Sequence, residues 1–86
     1  MAVDIIMPKL GAEMTKGKIV EWRKGEGETV EMGEILFELE TEKITYEVES
    51  PISGYLHILA RAEEEFPVAH QVGVLVETEA EYQQLL

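Results

Sequence analysis

Apolar residues in the middle of the chain alternate with polar ones, and the alternation changes phase within a few residues. The apolar positions are first odd-numbered and then even-numbered, at Ile35, Phe37 and Leu39 and then at Ile44, Tyr46 and Val48. Side chains of a β-strand alternate between the two faces of a sheet, so one strand cannot change phase without a break. The pattern therefore predicts two strands joined by a tight turn.

The phase change also fixes the register of this predicted hairpin, with Glu42 and Lys43 at its turn. On the apolar face, the opposite positions are Thr41 with Ile44, Leu39 with Tyr46, and Phe37 with Val48. On the other, solvated face they are Glu38 with Glu47 and Glu40 with Thr45. Neither turn residue is Gly or Asn, which disfavours the primed turns and favours a type I turn. The sequence thus predicts a single lysine at the tip of a stiff hairpin.

Shorter alternating stretches predict further strands on both sides of the hairpin. They cover residues 3–7, 17–23, 30–32, 55–59 and 72–76. Turns that contain Gly or Pro separate these strands. The three-residue spacing of Ile19 and Trp22 breaks strict alternation, which predicts a bulge in the second strand. Residues 8–16 form a loop whose apolar side chains, Leu10 and Met14, either tuck beneath it or offer contact surface to a partner.

The two halves of the chain repeat the same apolar spacing. One set recurs after 37 residues, with Gly17, Ile19 and Trp22 followed by Gly54, Leu56 and Leu59. A second set recurs after 36 residues, with Val30, Met32, Leu36 and Leu39 followed by Phe66, Val68, Val72 and Leu75. Repeated short strands with frequent turns predict an all-β domain with pseudo-two-fold symmetry, either a sandwich or a flattened barrel.

Composition places the chain among ordinary soluble globular domains. Its 86 residues are 45% hydrophobic and 29% charged, which suits one small domain and is too apolar for a disordered chain. Eighteen acidic residues against seven basic ones give a net charge of −11, which argues against binding to nucleic acid or anionic membranes. No apolar run approaches the roughly 20 residues of a membrane span. The absence of cysteine excludes disulfides, thiolate metal sites and cysteine nucleophiles.

No arrangement of residues in the sequence is typical of a catalytic site. The two histidines, His57 and His70, lie on an apolar strand and in a turn, with no serine or cysteine motif attached. The carboxylates lie on solvated faces and in turns, not in a buried pair with separated pKa values. Lys43 remains as the candidate functional residue, because a hairpin tip presents its amine to a modifying enzyme that recognises a folded shape. A lysine in an acidic turn is otherwise an ordinary exposed side chain.

Short motifs on both sides of the hairpin together match one known pattern. In the first half they are residues 7–11, Met14, residues 17–19, Trp22, Gly27, Val30 and Gly33. Around and after the hairpin they are Leu36, residues 40–43, Glu47, Val48, Ser50, Pro51 and Gly54. This series resembles the lipoyl domains of 2-oxo acid dehydrogenase complexes, and acetoin-cleaving complexes use similar domains. The resemblance extends to about Val76 and covers nearly the whole chain.

The resemblance implies a fold and an attachment site. The fold is a flattened β-barrel (a barrel-sandwich hybrid) of two four-stranded antiparallel sheets, with the hairpin at one end and the termini at the other. The site is Lys43, which would carry lipoic acid as a covalent amide. Glu40, Thr41 and Glu42 match residues that the modifying enzyme reads around the lysine. Two structural glycines of the family match Gly33 and Gly54.

The resemblance also implies a surface by which a partner enzyme selects its carrier. That surface lies in the loop after the first strand, at Leu10, Gly11, Glu13 and Met14. The sequence departs from the family pattern at a few positions, with Glu in place of Asp at 42, a bulky residue at Ile44, Ala62 and Glu63 in place of Gly-Asp, and Ala69 in place of Gly. The changes in the second half affect turn geometry.

By resemblance, the chain is a non-catalytic carrier domain of a dihydrolipoyl acyltransferase. Its lipoyl group would act as a swinging arm that carries acyl groups and electrons between active sites. The implied partners are a thiamine diphosphate-dependent 2-oxo acid decarboxylase, the acyltransferase core, dihydrolipoyl dehydrogenase, and a lipoate ligase or lipoyl/octanoyl transferase. No nucleic acid or membrane partner is implied, and we expect the isolated domain to be monomeric.

Two other functions stay open for this fold. A biotin carrier shares the fold and the hairpin lysine, but it typically has methionine on both sides of that lysine, where this chain has Glu42 and Ile44. An unmodified barrel could serve as a binding module, although such modules lack a lysine at the tip. We expect residues 1–78 to form the carrier domain and residues 79–86, which have helical propensity, to form a tail or the start of a linker in a longer acyltransferase. The expected location is the bacterial cytoplasm, with the mitochondrial matrix as the alternative.

Overall fold

Two four-stranded sheets pack face to face in the computed structural model, which describes residues 2–86. The elements in chain order are β1 (Ala2–Ile6), β2 (Lys16–Trp22), β3 (Thr29–Val30), β4 (Ile35–Glu40), β5 (Thr45–Glu49), β6 (Gly54–Ile58), β7 (Glu65–Pro67), β8 (Gln71–Val76) and the helix α1 (Glu79–Leu85). All strand pairs are antiparallel, in the orders β1-β8-β6-β3 and β5-β4-β2-β7. The predicted all-β architecture is confirmed, and its two sheets do not close into one continuous barrel.

The predicted pseudo-two-fold symmetry is present in the strand orders. Exchanging β1 with β5, β2 with β6, β3 with β7 and β4 with β8 converts the order of one sheet into that of the other. The backbone follows the same relation, because the four described residues with positive φ form two pairs 36 positions apart. These pairs are Gly27 (φ 78°) with Glu63 (φ 69°), and Gly33 (φ 91°) with Ala69 (φ 74°). The repeat in sequence is therefore a repeat of backbone conformation.

The core lies between the sheets and takes side chains from both. Its fully buried large residues are Met7, Ile19, Leu36, Phe37, Leu39, Leu56, Val72 and Leu75. Burying one such side chain stabilises a fold by about 1.5–3 kcal/mol. Leu10 and Met14 are half-buried against this core, so the loop after β1 is tucked onto the sandwich and its apolar side chains anchor it.

Bulges explain where the observed alternation departs from a period of two. The predicted bulge in β2 is confirmed, since its pairing with β4 shifts between Ile19 and Glu21. A second shift, between Ile35 and Phe37, was not predicted. It turns Leu36 into the core beside Phe37, whereas strict alternation would have placed Leu36 on the solvated face.

The structure does not follow the sequence repeat at Leu59. Leu59 was expected to correspond to Trp22, but its side chain is 51% exposed. Strand β6 pairs with β8 without the register shift that β2 has in its pairing with β4. The residue in the position of Trp22 is therefore Ile58, which pairs with Gly73 and comes one residue before Leu59. Ile58 accordingly packs against the core, as Trp22 does in the other half.

The C-terminal helix α1 is docked against β6 and β8 through one aromatic side chain. Thr78 caps its N-terminus by accepting a hydrogen bond from the Glu81 amide (3.2 Å). The Tyr82 hydroxyl donates to Glu26 (2.6 Å), and the Tyr82 ring stacks on Tyr55 with centroids 6.4 Å apart. Glu26 is thus the carboxylate that joins the helix to the sandwich. With seven residues, α1 is the only helix in the described part of the chain and is too short to cross a membrane.

Glu26 forms two further contacts, and together with Tyr82 they make up what we call the Glu26 cluster. His57 Nδ1 lies 2.8 Å from one carboxylate oxygen, and the Ile58 amide donates to the other (2.7 Å). Burial raises the pKa of Glu26, but the hydrogen bonds from Tyr82, His57 and Ile58 outweigh burial and leave that pKa below its usual value. The bond to Glu26 raises the pKa of Tyr82.

Replacing Ala69 by glycine should stabilise the domain. The left-handed backbone conformation at Ala69 destabilises the folded state by about 1–2 kcal/mol for an L-residue, and glycine removes this cost. Glycine also gives the unfolded chain more conformational freedom, which lowers stability by only about 0.4–1 kcal/mol. We expect Ala69→Gly to raise the free energy of unfolding by roughly 0.5–1 kcal/mol in urea titrations. Ala62→Gly is the matched control, because Ala62 has no positive φ and should lose stability. Equal changes in both variants would contradict the expectation.

The Glu26 cluster should stabilise the domain only within a window of pH. Because the pKa of Glu26 is lowered in the folded state, Glu26 stabilises the fold fully above its unfolded pKa near 4.5. This stabilisation is lost as the pH falls through the folded pKa. Because the pKa of Tyr82 is raised in the folded state, Tyr82 stabilises the fold below its unfolded pKa near 10.0. This stabilisation is lost as the pH rises through the folded pKa. Tyr82→Phe should therefore lower the urea midpoint at pH 7 and make less difference at pH 3.

The control for this measurement is Tyr46→Phe. The Tyr46 hydroxyl has no hydrogen bond to any described residue, and its side chain is half-exposed. This variant should keep the wild-type midpoint at both pH values. A Tyr82→Phe protein with the wild-type midpoint at pH 7 would show that the cluster does not stabilise the fold.

Candidate functional site

Lys43 lies at the tip of the β4–β5 hairpin with its amine in solvent. The observed register is the predicted one, since Leu39 pairs with Tyr46 and Glu40 with Thr45. The Lys43 side chain is 82% exposed, and its Nζ atom lies 3.9 Å from a carboxylate oxygen of Glu13. An exposed ion pair at this distance contributes little to stability. The amine is therefore accessible from solvent.

The outer half of the hairpin projects beyond the core. Ile44 and Tyr46 belong to the predicted apolar face, yet they are 48% and 47% exposed. Nearer the base, Phe37 and its partner Val48 are fully and partly buried, and Leu39, the partner of Tyr46, is also fully buried. Burial thus fixes the base of the hairpin, while the tip has to be held by hydrogen bonds.

Thr41 forms those hydrogen bonds. Its backbone amide donates to the Ile44 carbonyl (2.8 Å), which closes the turn. Its hydroxyl accepts hydrogen bonds from the amides of Lys43 (3.3 Å) and Ile44 (3.1 Å) and donates to the Ile44 carbonyl (3.3 Å). Neither Glu42 nor Lys43 has a positive φ, in agreement with the prediction that the primed turns are absent. The lysine backbone is thereby tied to the end of β4.

Arg23 relieves a like-charge contact farther down the hairpin. Glu38 and Glu47 lie opposite each other on the solvated face, which would repel if left alone. The Arg23 Nη2 atom lies 3.0 Å from Glu38 and 3.1 Å from Glu47, and Nε lies 3.3 Å from Glu21. The hydrogen bond to Glu38 is the largest of the effects that raise the Arg23 pKa. This guanidinium therefore links β2, β4 and β5 across the face of the sheet.

The loop after β1 lies beside the hairpin tip and forms a groove of about 940 Å³ with it. Its apolar members are anchored, since Leu10 and Met14 pack on the core and the Leu10 amide donates to the Met14 sulfur (3.3 Å). Gly11 and Glu13 are exposed at the rim of the groove. The structure thus brings the predicted recognition loop and the predicted attachment lysine onto one surface.

Carboxylates surround the lysine on this surface. Glu40 and Glu42 are exposed on either side of Thr41, and Glu13 approaches from the loop. Lys16 and Lys18 lie nearby on β2, and Lys18 pairs with Glu40 across the ladder. No three potential metal-ligating side chains converge among residues 2–86.

The two glycines singled out in the sequence have backbone reasons to be glycine. Gly33 has a φ of 91°, and its amide donates to the Ser50 carbonyl (2.9 Å) at the base of the hairpin. Gly54 begins β6, where a Cβ atom would collide with the backbone carbonyl of Val76. Both glycines therefore support the end of the domain opposite the hairpin tip, where β4 begins and β5 ends.

Three features of the site were not predicted from the sequence. They are the hydroxyl bonds of Thr41, the Arg23 bridge and the approach of Glu13 to Lys43. The hydroxyl bonds could have been predicted from the threonine at the first position of the turn, because Ser and Thr side chains commonly accept hydrogen bonds from backbone amides two or three residues later. The histidines have structural contacts, with His57 on Glu26 and His70 stacked on a phenylalanine ring 5.1 Å away.

Comparisons with known proteins agree with this geometry. A family model described as "Biotin-requiring enzyme" matches residues 3–71. The solution structure of the lipoyl domain of the 2-oxoglutarate dehydrogenase complex from Azotobacter vinelandii superposes with a TM-score of 0.75 at 26% identity, covering 87% of this chain and 96% of that one. The chain therefore belongs to the biotin and lipoyl attachment family.

The relatives of this chain show which branch of the family it resembles. Similar proteins are the succinyltransferase component of the 2-oxoglutarate dehydrogenase complex of Rickettsia bellii (41% identity), an acetyltransferase component of the chloroplastic pyruvate dehydrogenase complex of Arabidopsis thaliana (43%) and the acetyltransferase component of the acetoin cleaving system of Pseudomonas putida (41%). These matches cover 93%, 94% and 90% of this chain but only 20%, 17% and 21% of the relatives. The chain is a lipoyl carrier domain of the kind found in such acyltransferase components.

Adding a methyl group at Gly54 should destabilise the domain. Because the new Cβ atom would meet a backbone carbonyl of β8, the strands must shift, and we expect Gly54→Ala to cost about 1–3 kcal/mol. Gly11→Ala is the matched control, since nothing lies within 4 Å of its Cβ position and its φ is not positive. Urea unfolding monitored by tryptophan fluorescence measures both variants. A Gly54→Ala protein as stable as Gly11→Ala would contradict the collision.

Proposed function

We propose that Lys43 carries lipoic acid through an amide bond and serves as the swinging-arm site of this domain. The observation that supports the proposal best is a solvent-exposed amine at the tip of a hairpin whose base is fixed in the core. The amine fits the group, because amide formation needs an accessible nitrogen and leaves the surrounding carboxylates unburied. When bound, the lipoyl group supplies the disulfide and thiol chemistry that carries acyl groups and electrons.

The protein's own contribution is placement. Amide formation removes the positive charge of Lys43 and ends its weak pairing with Glu13, so the side chain and its extension can move freely. The hairpin keeps the attachment point at one end of a domain about 39 Å long and 21 Å wide. Tethering makes each transfer intramolecular, at roughly millimolar effective concentration for a short flexible link.

The proposed setting is a 2-oxo acid dehydrogenase or acetoin-cleaving complex. The names of the relatives support it, since each is an acyltransferase component of such a system. The partners would be a thiamine diphosphate-dependent decarboxylase, the acyltransferase core, dihydrolipoyl dehydrogenase and a lipoate ligase or lipoyl/octanoyl transferase. We propose the bacterial cytoplasm as its location, with the mitochondrial matrix as the alternative.

Ligase treatment followed by intact mass spectrometry tests the attachment. The purified domain is incubated with a lipoate ligase, ATP and lipoic acid, and in parallel with a biotin ligase, ATP and biotin. We expect one lipoyl increment on the wild-type protein and none on Lys43→Gln. Lys18→Gln is the matched control, because Lys18 lies on the same surface and its loss should leave the increment in place.

The other outcomes would change either the function or the attachment site. A biotinyl increment alone would make the chain a biotin carrier, which the description of the family model also covers. No increment from either ligase, on protein shown to be folded by circular dichroism, would favour an unmodified binding module. A lipoyl increment that persists in Lys43→Gln would move the site to another lysine.

A further inference from the structure

The Thr41 side chain uses its full hydrogen-bonding capacity on the hairpin tip. A threonine hydroxyl has one donor and two acceptor sites. Here the donor bonds to the Ile44 carbonyl, and the acceptor sites take the amides of Lys43 and Ile44, at distances of 3.1 to 3.3 Å. Within the described residues, these two amides have no other hydrogen-bond partner. One hydroxyl therefore fixes the backbone on both sides of the lysine side chain.

Besides the hydroxyl, the described tip is held by one backbone hydrogen bond, from the Thr41 amide to the Ile44 carbonyl (2.8 Å), and that bond leaves the Lys43 and Ile44 amides without a partner. Burial does not hold the tip, since Ile44 is about half exposed and Glu42 is exposed. The Lys43 side chain contacts only Glu13, at 3.9 Å between two groups that are 82% and 90% exposed. The turn also lacks the Gly or Asn that would stabilise a primed hairpin turn through positive φ. The direction of the Cα–Cβ bond of Lys43 thus depends on the Thr41 hydroxyl.

From this geometry we infer that Thr41 is a positioning residue for acylation of Lys43, acting through the backbone of the tip and not through contact with the modifying enzyme. The inference rests on the proposed function. It also gives the residue a different task from its neighbours Glu40 and Glu42, whose exposed carboxylates face outward and are available for direct contact.

The reaction itself shows why position matters. In a ligase that uses ATP, the lipoyl carboxyl is activated as an adenylate. The Nζ atom of Lys43, as a free amine, forms an amide bond to the carboxyl carbon while the acyl–phosphate bond breaks. AMP leaves with the electron pair, and the proton lost from Nζ passes to water. Misplacing a reacting atom by about 1 Å can cost roughly 100-fold in rate, so a tip that samples several conformations reacts slowly.

Four variants test the inference in steady-state lipoylation with a lipoate ligase. Thr41→Val keeps the shape and removes the hydroxyl, and we expect kcat to fall about 10-fold with little change in KM. Thr41→Ser keeps the hydroxyl and Thr41→Asn offers a carbonyl oxygen that can accept the same amides, so both should stay within about 3-fold of wild type. Thr45→Val is the matched control on the same hairpin, because the Thr45 hydroxyl has no hydrogen bond to a described residue.

The Thr41→Asn protein separates positioning from direct recognition. Asparagine preserves the turn while it changes the surface, so an enzyme that reads the threonine itself would reject Asn as strongly as Val. That result would overturn the inference, as would a Thr41→Val protein with wild-type kcat or with a loss confined to KM. Hydrogen exchange on the free domain should be faster at the Lys43 and Ile44 amides in Thr41→Val alone, with all other amides unchanged, which also shows that the variant is folded.

The same experiment distinguishes the two proposals. A wild-type protein that gains no lipoyl group contradicts the proposed function and the inference with it. A wild-type protein that is lipoylated beside a Thr41→Val protein that is lipoylated equally well contradicts only the role of Thr41.

Discussion

Strand β4 is paired on both of its edges and buried through its centre, and the position of the lysine depends on this. Its neighbours are β5 and β2, and its residues Leu36, Phe37 and Leu39 have no exposed surface. A bulge at Leu36 lets consecutive residues enter the core, which a regular strand does not allow. A shift of register by one residue in either direction would put Glu38 or Glu40 in the buried position of Leu39, so the hairpin that continues from β4 has one orientation only.

The pseudo-two-fold symmetry explains where the lysine lies in the molecule. The symmetry relates the β4–β5 pair to the β8–β1 pair, so the hairpin tip near Glu40 and Thr45 corresponds to the paired residues Val76 and Ala2. Val76 also pairs with Tyr55 at the start of β6, at the end of the sandwich away from the hairpin tip. The β4–β5 pair thus ends in the hairpin tip with Lys43, while the symmetric end of the β8–β1 pair, at Val76 and Ala2, lies at the opposite end of the sandwich.

The sequence determined the fold class and the place of the site to a large extent. Period-two alternation admits only one register for the central hairpin, so the tip at Glu42 and Lys43 followed from local pattern alone. The same pattern located the bulge before Trp22, since a three-residue apolar spacing needs an extra residue in the strand. The sequence repeat matched Leu59 with Trp22, but the fold matches Ile58 with Trp22, because a repeat in sequence does not require that both halves contain the same bulge.

Contacts between distant residues were decided only by the tertiary structure. Periodicity tells which face a side chain occupies, but not which side chain from another strand lies opposite it. The bond between Glu26 and Tyr82 spans 56 positions, and Arg23 meets Glu47 across 24. The alternation thus determined that Lys43 stands alone at a hairpin tip. Packing decided how that hairpin is held, because ion pairs and bulges depend on distances that exist only once both sheets have formed.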